Sequence, residues 1–250
     1  MTAIEVAQVP IGLPAAVRWF REIWPAEGPW ARDEGFLVKS ALTELFGTEA
    51  APRPWRVQTR LDDGRVLVVG YSRHDAQALR ERALLALPGL RAAVEADAIM
   101  TAPLSVPAAG RRVQGWVSLC PTRRTDLAAD GAAGRRRELD AYLAEVERAR
   151  REGRPPPARE EVYADYLRAA LAGAMDVGPV AQRAFAIARM ARKDAAGRPM
   201  RQVGFPSALL QFEGTVADPG LLRERMASGI GRARAFGFGM LLLRPSGGMT

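Results

Sequence analysis

A chain of 250 residues, 48% of them apolar, has material for one large domain or two small ones, each with its own core. A single cysteine, Cys120, and a single histidine, His74, exclude an internal disulfide, multi-cysteine zinc sites and paired-histidine metal sites. Metal chemistry would have to rest on carboxylates alone, and none cluster, so no metal and no cofactor is expected. With no apolar run of the ~20 residues a membrane span needs and no signal-like N-terminus, a cytoplasmic protein without membrane contact is expected. The formal charge of +8 points to a polyanionic partner, nucleic acid first. Of the 36 basic residues only Lys39 and Lys193 are lysines, and the arginine fork suits phosphate contacts. Part of that preference is what GC-biased coding of an Ala-, Gly- and Pro-rich chain produces by itself.

Residues 3–9 read as a strand, and a Trp-rich connection (Trp19, Trp24, Trp30) leads to Asp33, an N-cap for a helix to about Phe46. Val38, Ala41, Leu42 and Leu45 follow the i, i+3, i+4, i+7 spacing of one buried stripe; Lys39 lies off it, and Gly47 stops the helix. Two alternating segments, 55–61 and 65–71, are joined by Asp62-Asp63-Gly64, a hairpin signal. A helix from Asp75 to about Leu87 and a strand over 94–100 complete a strand-helix-strand-strand-helix-strand series. After the connection 103–110, residues 112–120 alternate with Val113, Gly115, Val117 and Leu119 on one side. Residues 135–151 predict a basic helix, Pro155-Pro156-Pro157 breaks the chain, and 160–172 resumes helix, the two forming an arm or finger. Strands over 180–190 and 202–216, a helix starting at Asp218-Pro219 and a strand over 240–243 finish the chain. The fold class is α+β: tandem ferredoxin-like domains, 1–103 and 104–250, with a basic helical finger at about 134–173 in the second.

The segment 229–239, GIGRARAFGFG, sits between a short helix and an apolar strand. Gly229, Gly231, Gly237 and Gly239 let backbone amides approach a phosphate chain, Arg232 and Arg234 add charge, and Phe236 can pack beneath or stack on a base. A dinucleotide-binding reading fails because Arg234 stands where the third glycine belongs and a helix precedes the motif; a P-loop fails because no Gly-Lys-Ser/Thr follows. A tight turn feeding a buried strand is the plainer alternative. A metabolic enzyme that uses the loop for a nucleotide cofactor is a further one, from another class.

The run GIGRARAFGFGMLLL, after a strand ending FEGTV and a helix beginning ADP, resembles the glycine-rich signature of the RAMP superfamily, and within it the CRISPR repeat-RNA endonucleases of the CasE type. DEGFLVKSALTELFG at 33–47, PRPWRV at 52–57, GRRRELDAYLAEV and EEVYADYL extend the similarity over most of the chain. The resemblance implies a repeat-RNA hairpin as partner, cleavage on its 3′ side by the adjacent 2′-hydroxyl without metal, retention of the product, and membership of an effector complex with other subunits. In the family a histidine on the first helix assists, and Lys39 stands in its place here. A lysine suits proton donation or charge stabilisation, with Arg32, Arg21 or a loop arginine assisting; the bland alternative is a solvated helix lysine. The departure leaves two alternatives open: a noncatalytic RNA-binding subunit on the same fold, and a counterpart from an unusual subtype, such as type IV, with arginines as its active site.

Arg135, Arg136 and Arg137, with Arg148, Arg150, Arg151 and Arg154, are candidates to follow an RNA stem, although the interleaved Glu138, Glu145, Glu147 and Glu152 are also what an ordinary solvated helix carries. Arg123 and Arg124 are candidates to track phosphates at a sheet edge, where charge also serves to prevent aggregation. His74 reads as a surface turn residue before a helix capped by Asp75, and Tyr71 as a core residue closing the sheet.

Overall fold

Ala7, Val9 and Ile11 alternate along the chain and are fully buried, which makes β1 (Glu5–Gly12) a central strand. The computed structural model describes residues 3–23, 33–61, 63–125, 137–192 and 201–246, and for Thr125, Arg137, Arg192 and Arg201 the backbone only. Helix α1 (Leu13–Ile23) follows β1 directly, and α2 (Glu34–Ala50) leads to the hairpin of β2 (Trp55–Arg60) and β3 (Arg65–Ser72). Next come α3 (Ala76–Leu84), the short α4 (Pro88–Arg91) and β4 (Met100–Pro103). The four strands form an antiparallel sheet in the order β2-β3-β1-β4.

A second series runs β5 (Arg112–Leu119), a small ribbon of β6 (Thr122–Thr125) and β7 (Arg137–Asp140), α5 (Ala141–Arg151), α6 (Arg159–Leu171), the long hairpin β8 (Met175–Arg192) and β9 (Arg201–Val216), α7 (Pro219–Ser228) and β10 (Leu241–Pro245). Its sheet order is β10-β5-β9-β8. In both sheets the first strand lies between the third and fourth and the second is at the edge, the ferredoxin-like arrangement, so the fold is the expected tandem α+β one.

The α2 stripe is buried as the spacing predicts, Val38, Ala41, Leu42 and Leu45 each being at most 1% exposed. Gly47 leaves helical geometry at φ 77°. Strand β3 faces two cores: Val66 and Val68 enter the first, Val69 and Tyr71 the second. The sheet of the first unit is therefore covered by its helices on one side and by the second unit on the other.

Four expectations need correction. The connection after β1 contains a helix, because Ala16, Trp19 and Phe20 are spaced i, i+3, i+4 and buried together. Residues 94–99 are not strand: a 3₁₀ turn occupies Ala96–Ala98 and pairing begins at Met100. The helix expected over 135–151 starts only at Ala141, since Asp140 caps it by accepting the Tyr142 N–H at 2.9 Å, and 137–140 pair with β6 as strand. Nor do α5 and α6 form a projecting finger. Tyr163, Leu167 and Leu171 are fully buried in the second core, which puts α6 in the helix layer over the second sheet. Trp24, Trp30, Asp62 and Lys193 lie outside the described residues.

The Asp33 carboxylate has two tasks. One oxygen accepts the Phe36 N–H at 2.9 Å and caps α2, while the other accepts the Ala191 N–H of β8 at 2.8 Å. Asp75 caps α3 alone, accepting the Ala78 N–H at 2.9 Å. Each bond contributes on the order of 1 kcal/mol, so in denaturant titrations Asp33→Ala is expected to destabilise by about 2 kcal/mol and Asp75→Ala by about 1. Equal losses would show that the tie to β8 contributes nothing.

Candidate functional site

The segment 229–239 is folded by its own backbone before any ligand is considered. The Ile230 N–H donates to the Gly239 carbonyl at 2.9 Å, and buried Ile230 anchors the base of the loop. The end of β5 holds it from the other side, through the Gly239 N–H on the Ser118 carbonyl at 2.7 Å and a bridge between Cys120 and Arg232. Gly239 has φ +80°, and a Cβ there would lie 2.4 Å from the Ile230 carbonyl oxygen, so only glycine closes this turn. Ala233 is left-handed too, at φ 58°, where a non-glycine residue is strained.

The first unit grips the loop at its apex. Trp55 Nε1–H donates to the Ala235 carbonyl at 3.0 Å. The Phe236 ring stacks on Phe36 of α2, with centroids 6.5 Å apart and planes at 28°. Gly35 makes this approach feasible, because a Cβ at that position would stand 3.0 Å from the Phe236 carbonyl oxygen. Lys39, one turn further along α2, places Nζ 4.6 Å from the Phe236 centroid and 5.7 Å from that of Phe36. A cation placed over ring faces is attracted to them. Lys39 is half-buried.

The other singled-out residues are distributed as follows. Arg32, Arg135 and Arg136 lie outside the described residues, as does the side chain of Arg137; Arg21 is exposed at the end of α1. Arg232 pairs with Glu138 of β7 at 2.5 Å, and Arg234 donates to the Ser228 carbonyl. Arg123 pairs with Glu145 at 2.8 Å, and exposed Arg124 approaches Glu138 at 3.6 Å. On α5, Arg148 pairs with Glu145, and Arg150 and Arg151 with Glu147, one helical turn apart. Tyr71 is a buried tie between the units, its hydroxyl donating to the Leu241 carbonyl at 2.6 Å. Burial pushes the Cys120 thiol up to about 12, which keeps it protonated and inert at neutral pH.

Sequence reasoning gave no role at the site to five residues near the loop. The Tyr166 hydroxyl on α6 stands 3.5 Å from the point a Cβ on Gly231 would occupy. Burial raises its pKa, opposed by the guanidinium groups of Arg123, Arg232 and Arg234. Glu138 holds two of the arginines. Arg53 and Arg73 line a cleft of about 1170 Å³ beside the loop, and half-buried His74, read as a plain turn residue, lines it too. Contacts between residues this far apart in sequence leave no local pattern, although Arg53, Trp55, Glu138 and Tyr166 all lie inside the stretches that carry the family resemblance.

Two ferredoxin-like units meet at a C-terminal glycine-arginine loop, with a lysine of the first long helix against that loop. A family model described as CRISPR associated protein matches residues 37–245, and the chain belongs to that family. Among solved structures, it is similar to a CRISPR endoribonuclease Cse3 bound to 19 nt RNA, at 16% identity and a TM-score of 0.61 over 97% of this chain and 100% of that one. It is also similar to Thermus thermophilus Cse3 bound to an RNA representing a pre-cleavage complex (14% identity, TM-score 0.58, 97% and 100% covered) and to Cas6e from Escherichia coli K-12 (15%, 0.57, 97% and 99%). No curated protein sequence matches. No described helix is long and apolar enough to cross a membrane.

Gly239→Ala is expected to lower stability by about 1–3 kcal/mol, since it combines a strained φ with a backbone clash. Hydrogen exchange over 229–239 should accelerate. Unchanged exchange there would show that the loop does not need this turn.

Proposed function

We propose that the chain binds the hairpin of CRISPR repeat RNA and cleaves it on the 3′ side of the stem, without a metal, by attack of the adjacent 2′-hydroxyl. The observation that carries this is the Lys39 ammonium, held 4.6 Å from the Phe236 ring at the glycine-arginine loop. Family membership and the fold shared with RNA-bound endoribonucleases support it. Glycine-rich backbone beside Arg232 and Arg234 offers amides and guanidinium groups to a phosphodiester. In the reaction the 2′-oxygen forms a bond to phosphorus and gives up its proton to water. The bond from phosphorus to the 5′-oxygen breaks, and Lys39 protonates the leaving oxygen, giving a 2′,3′-cyclic phosphate and a 5′-hydroxyl. An ammonium has no lone pair, so Lys39 in its ordinary charged form can donate a proton but not take one, and a nearby guanidinium offsets charge on the phosphorane. Product retention, assembly into an effector complex in the cytoplasm, and assistance from Arg21 or Arg32 complete the proposal.

Incubation with repeat RNA in EDTA tests it. Wild type should release a cyclic-phosphate end, and Lys39→Ala should slow cleavage by about 10²-fold or more while hairpin affinity changes little. Tight binding of RNA that stays intact would instead assign a noncatalytic subunit, the reading favoured by a lysine where the family carries histidine.

A further inference from the structure

The arginines of α5 and Arg123 and Arg124 of β6 are matched by carboxylates, but Arg53 and Arg73 at the cleft are not. Arg53, before β2, and Arg73, after β3, are exposed and form no ion pair among the described residues. Both line the cleft of about 1170 Å³ between the units, whose opposite wall is the loop from Gly231 to Phe236 and the end of α7. Arg53, Arg73, Arg232 and Arg234 line it together with two carboxylates, Glu49 and Glu224, and of these arginines Arg232 is already paired with Glu138. The cleft thus carries an excess of positive charge in a recess, which concentrates anions. Lys39 is not part of this lining: Phe236 borders the cleft and also meets Lys39 and Phe36, so the cleft adjoins the proposed cleavage position without containing it.

We propose that this cleft is a second RNA subsite, which takes unpaired nucleotides continuous with the hairpin; it rests on the reading that the hairpin is bound at the loop. Three features of the lining select single-stranded over paired RNA. His74, Phe236 and the planar guanidinium groups offer flat surfaces on which a splayed base can stack, and a duplex keeps its bases stacked on each other. The volume exceeds the 300–1,000 Å³ typical of a pocket for one small ligand, leaving room for more than one nucleotide. Arg53 and Arg73, with no carboxylate to displace, are ready partners for successive phosphates. Arg53 is also set by backbone, its N–H donating to the Tyr71 carbonyl at 2.7 Å, which fixes the 53–54 turn against β3.

Fluorescence anisotropy on the full chain separates this subsite from the hairpin site. Three labelled RNAs are compared: the bare hairpin, the hairpin with about four unpaired nucleotides on its 5′ side, and the hairpin with the same number on its 3′ side. Each carries a 2′-deoxy sugar at the scissile position so that binding is read without cleavage. One of the two extensions is expected to tighten binding by roughly tenfold, and which one it is identifies the strand that enters. The slope of log K against log salt should steepen by about 1.4 for two more phosphates contacted on a single strand. In the double variant Arg53→Ala/Arg73→Ala, whose side chains are exposed, the bare hairpin should bind as in wild type while the extension gain disappears. Extensions that add nothing, or a gain that survives in the variant, would overturn the subsite and leave hairpin recognition standing. Failure of wild type to bind even the bare hairpin would overturn both.

Discussion

The closure of the C-terminal loop on itself, between the Ile230 amide and the Gly239 carbonyl, is the constraint from which the remaining geometry follows. A loop pinned at its base presents its apex at a fixed distance. Only then can Ala235 meet the Trp55 indole, Phe236 stack on Phe36, and Lys39 lie over the Phe236 ring. The first unit is therefore not an independent neighbour of the second; its longest helix is read against an eleven-residue segment more than 180 positions away in the chain. Preorganisation of this kind removes the ordering cost that a flexible glycine segment would otherwise incur when it meets a ligand.

Charge in this protein is more structured than its total implies. The ribbon residue Glu138 reaches Arg124 and Arg232, while Glu145 and Glu147 engage the three arginines of α5. A partner anion that takes Arg232 must compete with a carboxylate already in place, whereas one that takes Arg53 or Arg73 need not. Exposed pairs of this type contribute little to stability, ~0–1 kcal/mol each. Their consequence is selectivity among arginines, since an unmatched guanidinium attracts phosphate more strongly than a matched one.

Local pattern carried most of the architecture. The stripe of α2, the caps at Asp33, Asp75 and Asp218, and the alternation in β5 are short-range signals, and each was legible because one face of an element is buried and the other is not. Helix α1 was hidden because Trp19, grouped with Trp24 and Trp30, read as part of a loop, although Trp19 and Phe20 pack into the core. The ribbon β6–β7 was hidden because pairing with β6 overrides the helical preference of Arg137–Asp140. At the site, the motif announced the loop and the placement of Lys39 on α2 singled out that lysine. What it lacked were the long-range partners: Glu138, Tyr166, and the cleft wall of Arg53, Arg73 and His74 come together only through the order of two sheets.

The shared carboxylate of Asp33 has a mechanical meaning. Strand β8 pairs with β9 over a hairpin whose far end, at Ala191, hangs from the same side chain that starts α2. A pull on that distal end is opposed at the first turn of the helix bearing Lys39, so the two segments shift as a pair or one of two short bonds must break. The hairpin is in this sense a lever whose fulcrum is a single aspartate.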